Sequence, residues 1–567
     1  MKPRDFSPLS RLPFIGRAEP PLVIEIDLTR GMLNTAPADP LGALRSRNRP
    51  MLGQTVAGLR EAARDENVAG AIVSIADTVS VAQAEELGAA LEAFSATGKG
   101  TIATANSFGE LGPGSIPYYL ALHAQSIWLQ PSGAVGLTGV ALEVTTLRGV
   151  LDKIDAEPQL GQRHEFKTAA ETFMSKEVST PNREMTQRIA DSVLERIAAT
   201  AQRRREVSPV DFRATLAASP VPAAVAVEHG LVDHLGYRDD AYAHARELWG
   251  RDDEIRLQYA HRYARHRASR PTEQVRRRRQ AKVGVVAVNG GISVGRNGGS
   301  PFGGPSAGSD SVCAALRQAR EDESLRALVL RIDSPGGSYV ASDAIRNAVH
   351  AFRRTGRPVV ASMARVAASG GYFVAMPCDA IVALPSTLTG SIGVLGGKVV
   401  LGRTFERIGV TREAIGAGED ATMFSSTRTF DDAQWAKVNT WLDTVYADFT
   451  QKAAEDRGMD IGDLEPLARG RVWTGTDARE RGLVDDLGGM RLAVEKACDR
   501  AGIDPDDARA VPVPHVSPLY RLIPAESSDS PADAVATGPE EILLGLTRAA
   551  GLEVPGVLAL PWRLTIQ

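Results

Sequence analysis

The 567-residue chain is poor in cysteine, with Cys313, Cys378 and Cys498 as its whole complement. Three scattered thiols exclude a disulfide framework and a zinc site, and they read as small buried hydrophobes. Charge of one sign is not in excess either. Lys and Arg number 65 against 69 Asp and Glu, for a net charge of −4, so no overall basic field gathers nucleic acid. No segment reaches the ~18–20 uninterrupted apolar residues that would span a bilayer. Residues Met1–Pro21 interleave Lys2, Arg4, Arg11 and Arg17 with prolines, and they hold no apolar stretch of the kind a secretory signal needs. Glu541–Trp562 is apolar but broken by Arg548, Glu553, Pro555 and Pro561. A packed terminal helix is expected there, with a helix lying on a membrane surface as the alternative.

What is present is the composition of a soluble globular protein, 43% hydrophobic and 24% charged. At ~100–200 residues per domain the length predicts two to four compact units. An internal repeat sharpens this. "TVAGLREAARDENVAGAIVSIAD" matches "SVCAALRQAREDESLRALVLRID", pairing Asp77 with Asp333, and "PSGAVGLTGV" from Pro131 matches "PSTLTGSIGV" from Pro385. "EHGLVDHLG" from Glu228 likewise matches "ERGLVDDLG" from Glu480. The offset stays near 252–257 residues, which is a domain-sized duplication and not a solenoid. Short Val/Ile/Leu-rich strands such as Leu22–Ile26, Val283–Val288, Ala327–Asp333 and Pro358–Ala364 alternate with helical patterns. That alternation predicts βα units with a mostly parallel sheet covered by helices. Between the copies, Arg262–Lys282 carries Arg276–Arg279 in a row and reads as a solvated linker or helix face, with contact to acidic lipid headgroups as the other reading. Ser293–Asp310 and Ala525–Glu540 are expected to be mobile from their small-residue and polar composition.

The two copies diverge where chemistry would sit. After its strand the second copy reads "DSPGGS", Asp333–Ser338, and the first reads "ADTVSV". A glycine pair can turn the backbone and aim N–H groups at developing negative charge, although a structural turn explains the string equally well. Further on, "AASGGYFVAM" puts Ser369 before two glycines and an apolar run, as a nucleophile at a helix start would be; a plain Ser N-cap is the other account. In the first copy Ser115 aligns with Ser369, but Ile116 and Pro117 replace the glycines, and proline has no N–H to give. No histidine accompanies a motif in the second copy, since His350 sits in a charged helical stretch and His515 in a Pro-rich one. Lysine can act as a base when burial leaves it neutral. "HEFKTAAETF" in the first copy supplies Lys167, and the matching region Ala421–Phe424 has no lysine. Alone, Lys167 would be a solvated surface lysine; the complementary loss of serine site and lysine between copies is what singles it out. Ser391 in "TGSIGV" stands where the first copy has Leu137, so its hydroxyl could hold the lysine amine or simply cap a turn.

Taken together, "DSPGGS", "AASGGY", "LTGSIGV", "RVWTGTDARERGLVDDLG" and "FKTAAETF" make the chain resemble the long, tandem form of the signal peptide peptidase A (protease IV) family over about residues 20–515. The resemblance implies tandem α/β domains of the Clp protease/crotonase type, built from repeated ββα units. It implies Ser369 as nucleophile, Lys167 as general base, Gly337 and Gly370 as oxyanion-hole donors and Ser391 as the residue orienting the lysine. No metal or cofactor follows from it. It implies a homo-oligomer, a homotetramer, acting on released signal peptides and other unfolded hydrophobic peptides, and association with a membrane. The domain plan is then 1–20 as an N-terminal extension, 21–257 as the lysine-supplying domain, 258–282 as a basic linker, 283–515 as the serine-supplying domain and 516–567 as a C-terminal tail. Lys398, close to Ser391, reads as a bystander.

Two other readings remain at this stage. A crotonase-type acyl-coenzyme A enzyme shares the fold and the oxyanion glycines, but no paired acids flank the "PGG" and "SGG" strings. A non-catalytic scaffold that binds membrane proteins would suit the worn first copy, but it leaves the intact serine and lysine without a purpose.

Overall fold

Strands rich in Val, Ile and Leu on both faces need cover on both sides, and that requirement sets the architecture. The computed structural model describes residues 19–34, 49–110, 112–300, 304–514 and 558–559. The first copy contributes β1 (Leu22–Asp27), β2 (Val68–Ser74), β3 (Gly100–Ala105), β4 (Ser126–Leu129), β5 (Ala134–Val135), β6 (Glu157–Gln162), β7 (Val221–Pro222), β8 (His234–Leu235) and β9 (Arg256–Tyr259). Its main sheet runs β8-β4-β3-β2-β1-β9, parallel throughout. The second copy contributes β10 (Ala281–Asn289), β11 (Gly291–Ser293), β12 (Gly298–Ser300), β13 (Gly304–Gly308), β14 (Leu325–Ser334), β15 (Gly336–Gly337), β16 (Val359–Ala368), β17 (Ala380–Ala383) and β18 (Leu388–Gly390). After these come β19 (Leu395–Val400), β20 (Val472–Thr474), β21 (Asp486–Leu487) and β22 (Ala508–Pro512). Its sheet, β20-β18-β16-β14-β10-β22 with β17 and β21 branching from β16, is parallel except for the β18–β20 pair. The tandem, mostly parallel α/β plan expected from the repeat is the observed one.

The duplication reaches individual bonds. Tyr118 donates its hydroxyl to Leu231 O at 2.8 Å, and Tyr372 donates to Leu483 O at 3.0 Å. Asp233 takes the N–H of Ile127 and pairs with Arg205; Asp485 takes the N–H of Ile381 and pairs with Arg457. Each copy thus ties its "GLVD" loop to its own sheet and to the end of its own long helix, Thr180–Arg205 or Asp432–Arg457.

The copies are also joined to each other. β6 of the first pairs antiparallel with β19 of the second along six residues, from Glu157↔Val400 to Gln162↔Leu395. The helix Thr180–Arg205, capped by Ser179, reaches the second copy, where Ser192 meets Thr474 at 3.0 Å and Arg188 pairs with Asp477 at 3.0 Å. On the other side Glu86 pairs with Arg331 at 2.7 Å and accepts the Met490 N–H.

Two stretches differ from their sequence reading, and the basic one between the copies takes the helix-face form expected of it. Ser293–Asp310, expected to be mobile, carries β12 and β13, which join β11, β15 and a C-terminal strand in a small five-stranded sheet; its backbone bonds need no side chains and so leave no hydrophobic signature. The Arg262–Lys282 stretch is helical, Ala260–Ser269 followed by Pro271–Arg279. Tyr263 within it is buried and donates to Asp65 at 2.6 Å, while Arg276 and Arg277 face Glu273. The packed helix anticipated over Glu541–Trp562 is replaced at Leu558–Ala559 by a strand, β23, because Pro555 and Pro561 close together leave too short a run for a helix; the rest of that segment, with Met1–Arg17 and Ala525–Glu540, lies outside the described residues. Cys378 and Cys498 are buried, Cys313 is half-buried, and all three are free.

Leu442, fully buried in the helix Asp432–Arg457, lies under the inter-copy ladder, with its methyl groups facing Gly161 of β6 and Gly396 of β19. Leu442→Ala is expected to cost about 2–5 kcal/mol, read as a lower midpoint in urea unfolding at unchanged slope.

Candidate active site

Ser369 follows β16 directly and caps the short helix Gly370–Ala375. Its backbone stands at φ 54°, ψ −115°, a conformation that costs a non-glycine residue about 1–3 kcal/mol. The position is held from both sides, since Ser369 N donates to Gly390 O at 2.8 Å and Phe373 N donates to Ser369 O at 2.9 Å. The turn throws the side chain clear of strand and helix toward the first copy. Gly371 is required beneath it, because a Cβ there would come within 2.5 Å of Ser334 O.

Lys167 of the first copy arrives at that hydroxyl. Its Nζ lies 2.8 Å from Ser369 Oγ, 3.0 Å from Ser391 O and 3.0 Å from Ser391 Oγ, and the residue has no exposed surface. The three oxygens can take the three N–H groups of an ammonium; once the amine is neutral, two hydrogens serve the Ser391 oxygens and the lone pair is left for the Ser369 hydroxyl. Burial alone pushes the amine from 10.5 down to about 7, and no carboxylate opposes the shift. Ser391 is itself at φ 50°, fixed by its N–H to Arg471 O at 2.7 Å.

Glycines complete the floor. Gly337 stands at φ 155°, and a Cβ on it would collide with Ile292 O. Gly370 lies against it, since a Cβ on Gly370 would fall 3.1 Å from Gly337 N and 2.7 Å from Ser342 Oγ. The backbones of Gly337 and Gly370 therefore meet beside Ser369 without an intervening side chain. All five sequence-selected residues, Ser369, Lys167, Gly337, Gly370 and Ser391, converge on one point. Lys398 turns elsewhere, donating to Met423 O at 2.5 Å with its ammonium over the Phe430 ring.

The sequence reading did not single out the segment that seats the lysine. Glu165–Phe166–Lys167 lies along Arg469–Gly470–Arg471 of the second copy. Arg469 pairs with Glu165 through both carboxylate oxygens at 3.0 and 2.9 Å. Arg471 pairs with Glu184 at 2.8 Å and places its guanidinium 4.6 Å from both the Phe166 and Trp473 rings. Gly470, at φ 79°, leaves the space in which the lysine stem runs, because a Cβ there would fall 2.5 Å from Lys167 Cβ. Nothing in "ARGRVW" advertises this, since its partner lies some 300 residues earlier in the chain. Nearby, Met185 and Ile189 of the first copy and Val366, Ala368, Leu388 and Val472 of the second form an apolar cluster, with Phe166 and Leu142 against it.

In the first copy the equivalent place is chemically quiet. Ser115 lies within the helix Ser115–Ala121 and its Oγ accepts the Gly139 N–H at 3.1 Å. Among the described residues no group of His, Cys, Asp and Glu has the arrangement of a metal site, and no helix is long and apolar enough to cross a membrane.

A buried hydroxyl on a strained strand-to-helix turn, a buried amine beside it and facing backbone glycines define a site of the nucleophilic-serine class. Comparison with known proteins agrees. The profile of Peptidase family S49 matches residues 94–251 and 351–504, once in each copy, and the chain belongs to that family of serine proteases. It is 30% identical over 458 residues to Protease 4 of Salmonella typhi, covering 79% of this chain and 71% of that protein. It is 31% identical over 403 residues to the chloroplastic serine protease SPPA of Arabidopsis thaliana, covering 68% of this chain and 57% of that one. A putative signal peptide peptidase SppA of Enterococcus faecium is 30% identical over 173 residues, 30% of this chain and 50% of that protein.

Gly470→Ala tests the seat of the lysine. The added methyl must push the Lys167 stem away from Ser369, so labelling of Ser369 by a fluorophosphonate is expected to slow by on the order of 100-fold. The unfolding midpoint should fall less than it does for Leu442→Ala. Unchanged labelling would mean that the stem has room to spare.

Proposed function

We propose that the chain is a serine endopeptidase working through a Ser369–Lys167 dyad, and that it degrades released signal peptides and other unfolded hydrophobic peptides. The 2.8 Å contact between Lys167 Nζ and Ser369 Oγ carries this reading. Neutral Lys167 accepts the Ser369 proton as the oxygen attacks the scissile carbonyl. The oxyanion is stabilised by the N–H groups of Gly337 and Gly370, and the Lys167 ammonium then protonates the departing amine. Water, deprotonated by the same amine, attacks the acyl-enzyme and restores Ser369. Ser391 orients the amine throughout. The name of the Enterococcus relative supports the choice of signal-peptide-like substrates. Association with a membrane belongs to the same proposal.

Self-association belongs to it as well. At the 254-residue offset that puts Pro131 on Pro385, the ladder strand β6 corresponds to residues 411–416 and β19 to residues 141–146. Neither counterpart forms a strand, and Ile408, Val410, Ile415 and Phe424 are exposed beside the former, with Val150 exposed near the latter. Head-to-tail pairing of 411–416 with 141–146 of a second copy of the chain would repeat the internal seam and close a ring; the resemblance suggests four members.

Ser369→Ala and Lys167→Met are each expected to lower peptide hydrolysis by on the order of 10⁴-fold or more, and Ser391→Ala by about 10–100-fold, the worth of one hydrogen bond to the lysine. Fluorophosphonate labelling at Ser369, with no retention of coenzyme A, separates this reading from an acyl-coenzyme A enzyme and from a non-catalytic scaffold. Because the lysine must be neutral, kcat/KM is expected to rise with pH through a midpoint near 7, where burial places the amine. Glu85, whose carboxylate accepts the Ser386 N–H and hydroxyl, is pushed up to about 7 by its own burial. Glu85→Gln should therefore leave the midpoint in place; a midpoint that vanished with Glu85 would remove Lys167 from the role of base.

A further inference from the structure

The first copy also grips the far end of the segment that carries Ser391. Its helix Val81–Ser95 starts with a capping box, in which Ser80 Oγ accepts the Gln83 N–H and Gln83 Oε1 accepts the Ser80 N–H. Residues 81–88 are buried on every face of that helix. Two adjacent acids reach from it into the second copy. Glu86 pairs with Arg331, and Glu85 Oε2 accepts the Ser386 N–H at 3.1 Å and the Ser386 hydroxyl at 2.6 Å.

From Ser386 the chain runs through β18 to the dyad, and every residue from Ser386 to Gly393 is buried. Thr387 and Thr389 tie it to Ala364 O and Ala367 O of β16 at 2.6 and 2.8 Å, and Gly390 O accepts the Ser369 N–H. Ser391 then offers two oxygens to Lys167, and Gly393 lies against the lysine stem. A close-packed interior has no slack, so a displacement at one end of such a segment is felt at the other. The repeat supplies a contrast. Ser132, the counterpart of Ser386, is exposed, and its hydroxyl accepts a hydrogen bond from Gln130 of its own turn.

We propose that Glu85 is a positioning residue of the active site: by gripping Ser386 it sets where Ser391 and Gly393 stand around Lys167. This rests on the reading of Ser369 and Lys167 as the dyad. The copy that delivers the amine thereby also places the oxygens that receive it. Around Glu85 stand Arg196 of the helix Thr180–Arg205 and Tyr119 of the helix Ser115–Ala121. Lys167 is shifted by burial alone, so a change at Glu85 reaches the amine through the position of residues 391–393 and not through charge.

Glu85→Ala releases the segment and admits water beside the amine, which raises the proton affinity of Lys167. Neutral lysine is then scarcer at pH 7 and recovered at higher pH. Fluorophosphonate labelling of Ser369 is expected to slow by about 10-fold at pH 7 and by only about threefold at pH 9. In peptide hydrolysis kcat falls and KM stays. Glu85→Gln keeps an oxygen for both Ser386 hydrogens, so it should stay within about threefold of the unaltered rate, with the midpoint in place. Ser386→Ala removes the hydroxyl from the other side and should repeat the Glu85→Ala changes in smaller measure, even if Glu85→Ala does not fold. A second readout is independent of the chemistry. In the Ser369→Ala background, amide hydrogen exchange across residues 386–393 should be several-fold faster with Glu85→Ala and unaltered with Glu85→Gln. Faster exchange that leaves labelling rate and midpoint untouched would overturn the proposal, as would unaltered exchange or a loss that Glu85→Gln does not repair. Faster exchange across 386–393 with no labelling of any Ser369-containing chain would uphold Glu85 as the anchor of the Ser391 segment and retire the serine nucleophile instead.

Discussion

The structure turns on a primary amine kept out of water with no counter-charge. A lysine loses its proton near neutral pH only if its surroundings favour the neutral form, and Lys167 gets this from burial alone. Neither copy could provide that burial by itself. The first supplies the residue, and the second supplies what encloses it: Gly393, whose added Cβ would come within 3.2 Å of the stem, Gly470 beside the backbone, and the two oxygens of Ser391. The relative placement of the halves is therefore what keeps the amine out of water. The contacts around it serve that placement: the β6–β19 ladder, the Glu165–Arg469 pair, and Arg471 between Phe166 and Trp473.

This explains why a duplicated chain keeps both copies although one has a quiet serine site. The first copy retains the whole scaffold, down to the Tyr118, Asp233 and Arg205 bonds that mirror those of Tyr372, Asp485 and Arg457. On the proposed dyad it is a rigid arm that delivers one amine. Rigidity matters because a displacement of about 1 Å between base and nucleophile already costs on the order of 100-fold in rate. The long helix Thr180–Arg205 and the Glu86–Arg331 pair fix the arm at points well away from the dyad.

The duplication, the parallel α/β plan and the split of lysine and serine between copies were legible in the sequence. Repeats align by eye, and strands buried on both faces read as apolar runs such as "ALVLRI". A residue that appears in one copy and is missing from the other stands out against its own internal reference, which is how Lys167 and Ser391 came to notice. The seat of the lysine was not legible, because "EFK" and "RGR" become neighbours only when two distant loops fold together, and neither string is unusual alone. The strands β12 and β13 were hidden for a different reason: their stability lies in backbone pairing of Gly and Ser, and no side-chain pattern marks it. β23 was obscured by an apolar composition that fits helix and strand equally, although Pro555 and Pro561 already broke the run.

Strain in the backbone gives an independent argument for where the chemistry is. Ser369 and Ser391 both adopt positive φ, at about 1–3 kcal/mol each. Their counterparts Ser115 and Leu137 hold the equivalent positions of the repeat, and neither adopts positive φ. A fold that required the strain would show it in both copies, so the strain goes with the residues that meet Lys167 and not with the repeated scaffold. Relaxing Ser369 into its helix, as Ser115 is relaxed, would turn its hydroxyl toward the backbone and away from Lys167. Relaxing Ser391 would withdraw the oxygens that receive the amine's two hydrogens. The surrounding strands β16, β17 and β18 are almost wholly buried, and that packing is what holds two unfavourable backbone conformations a few ångströms apart.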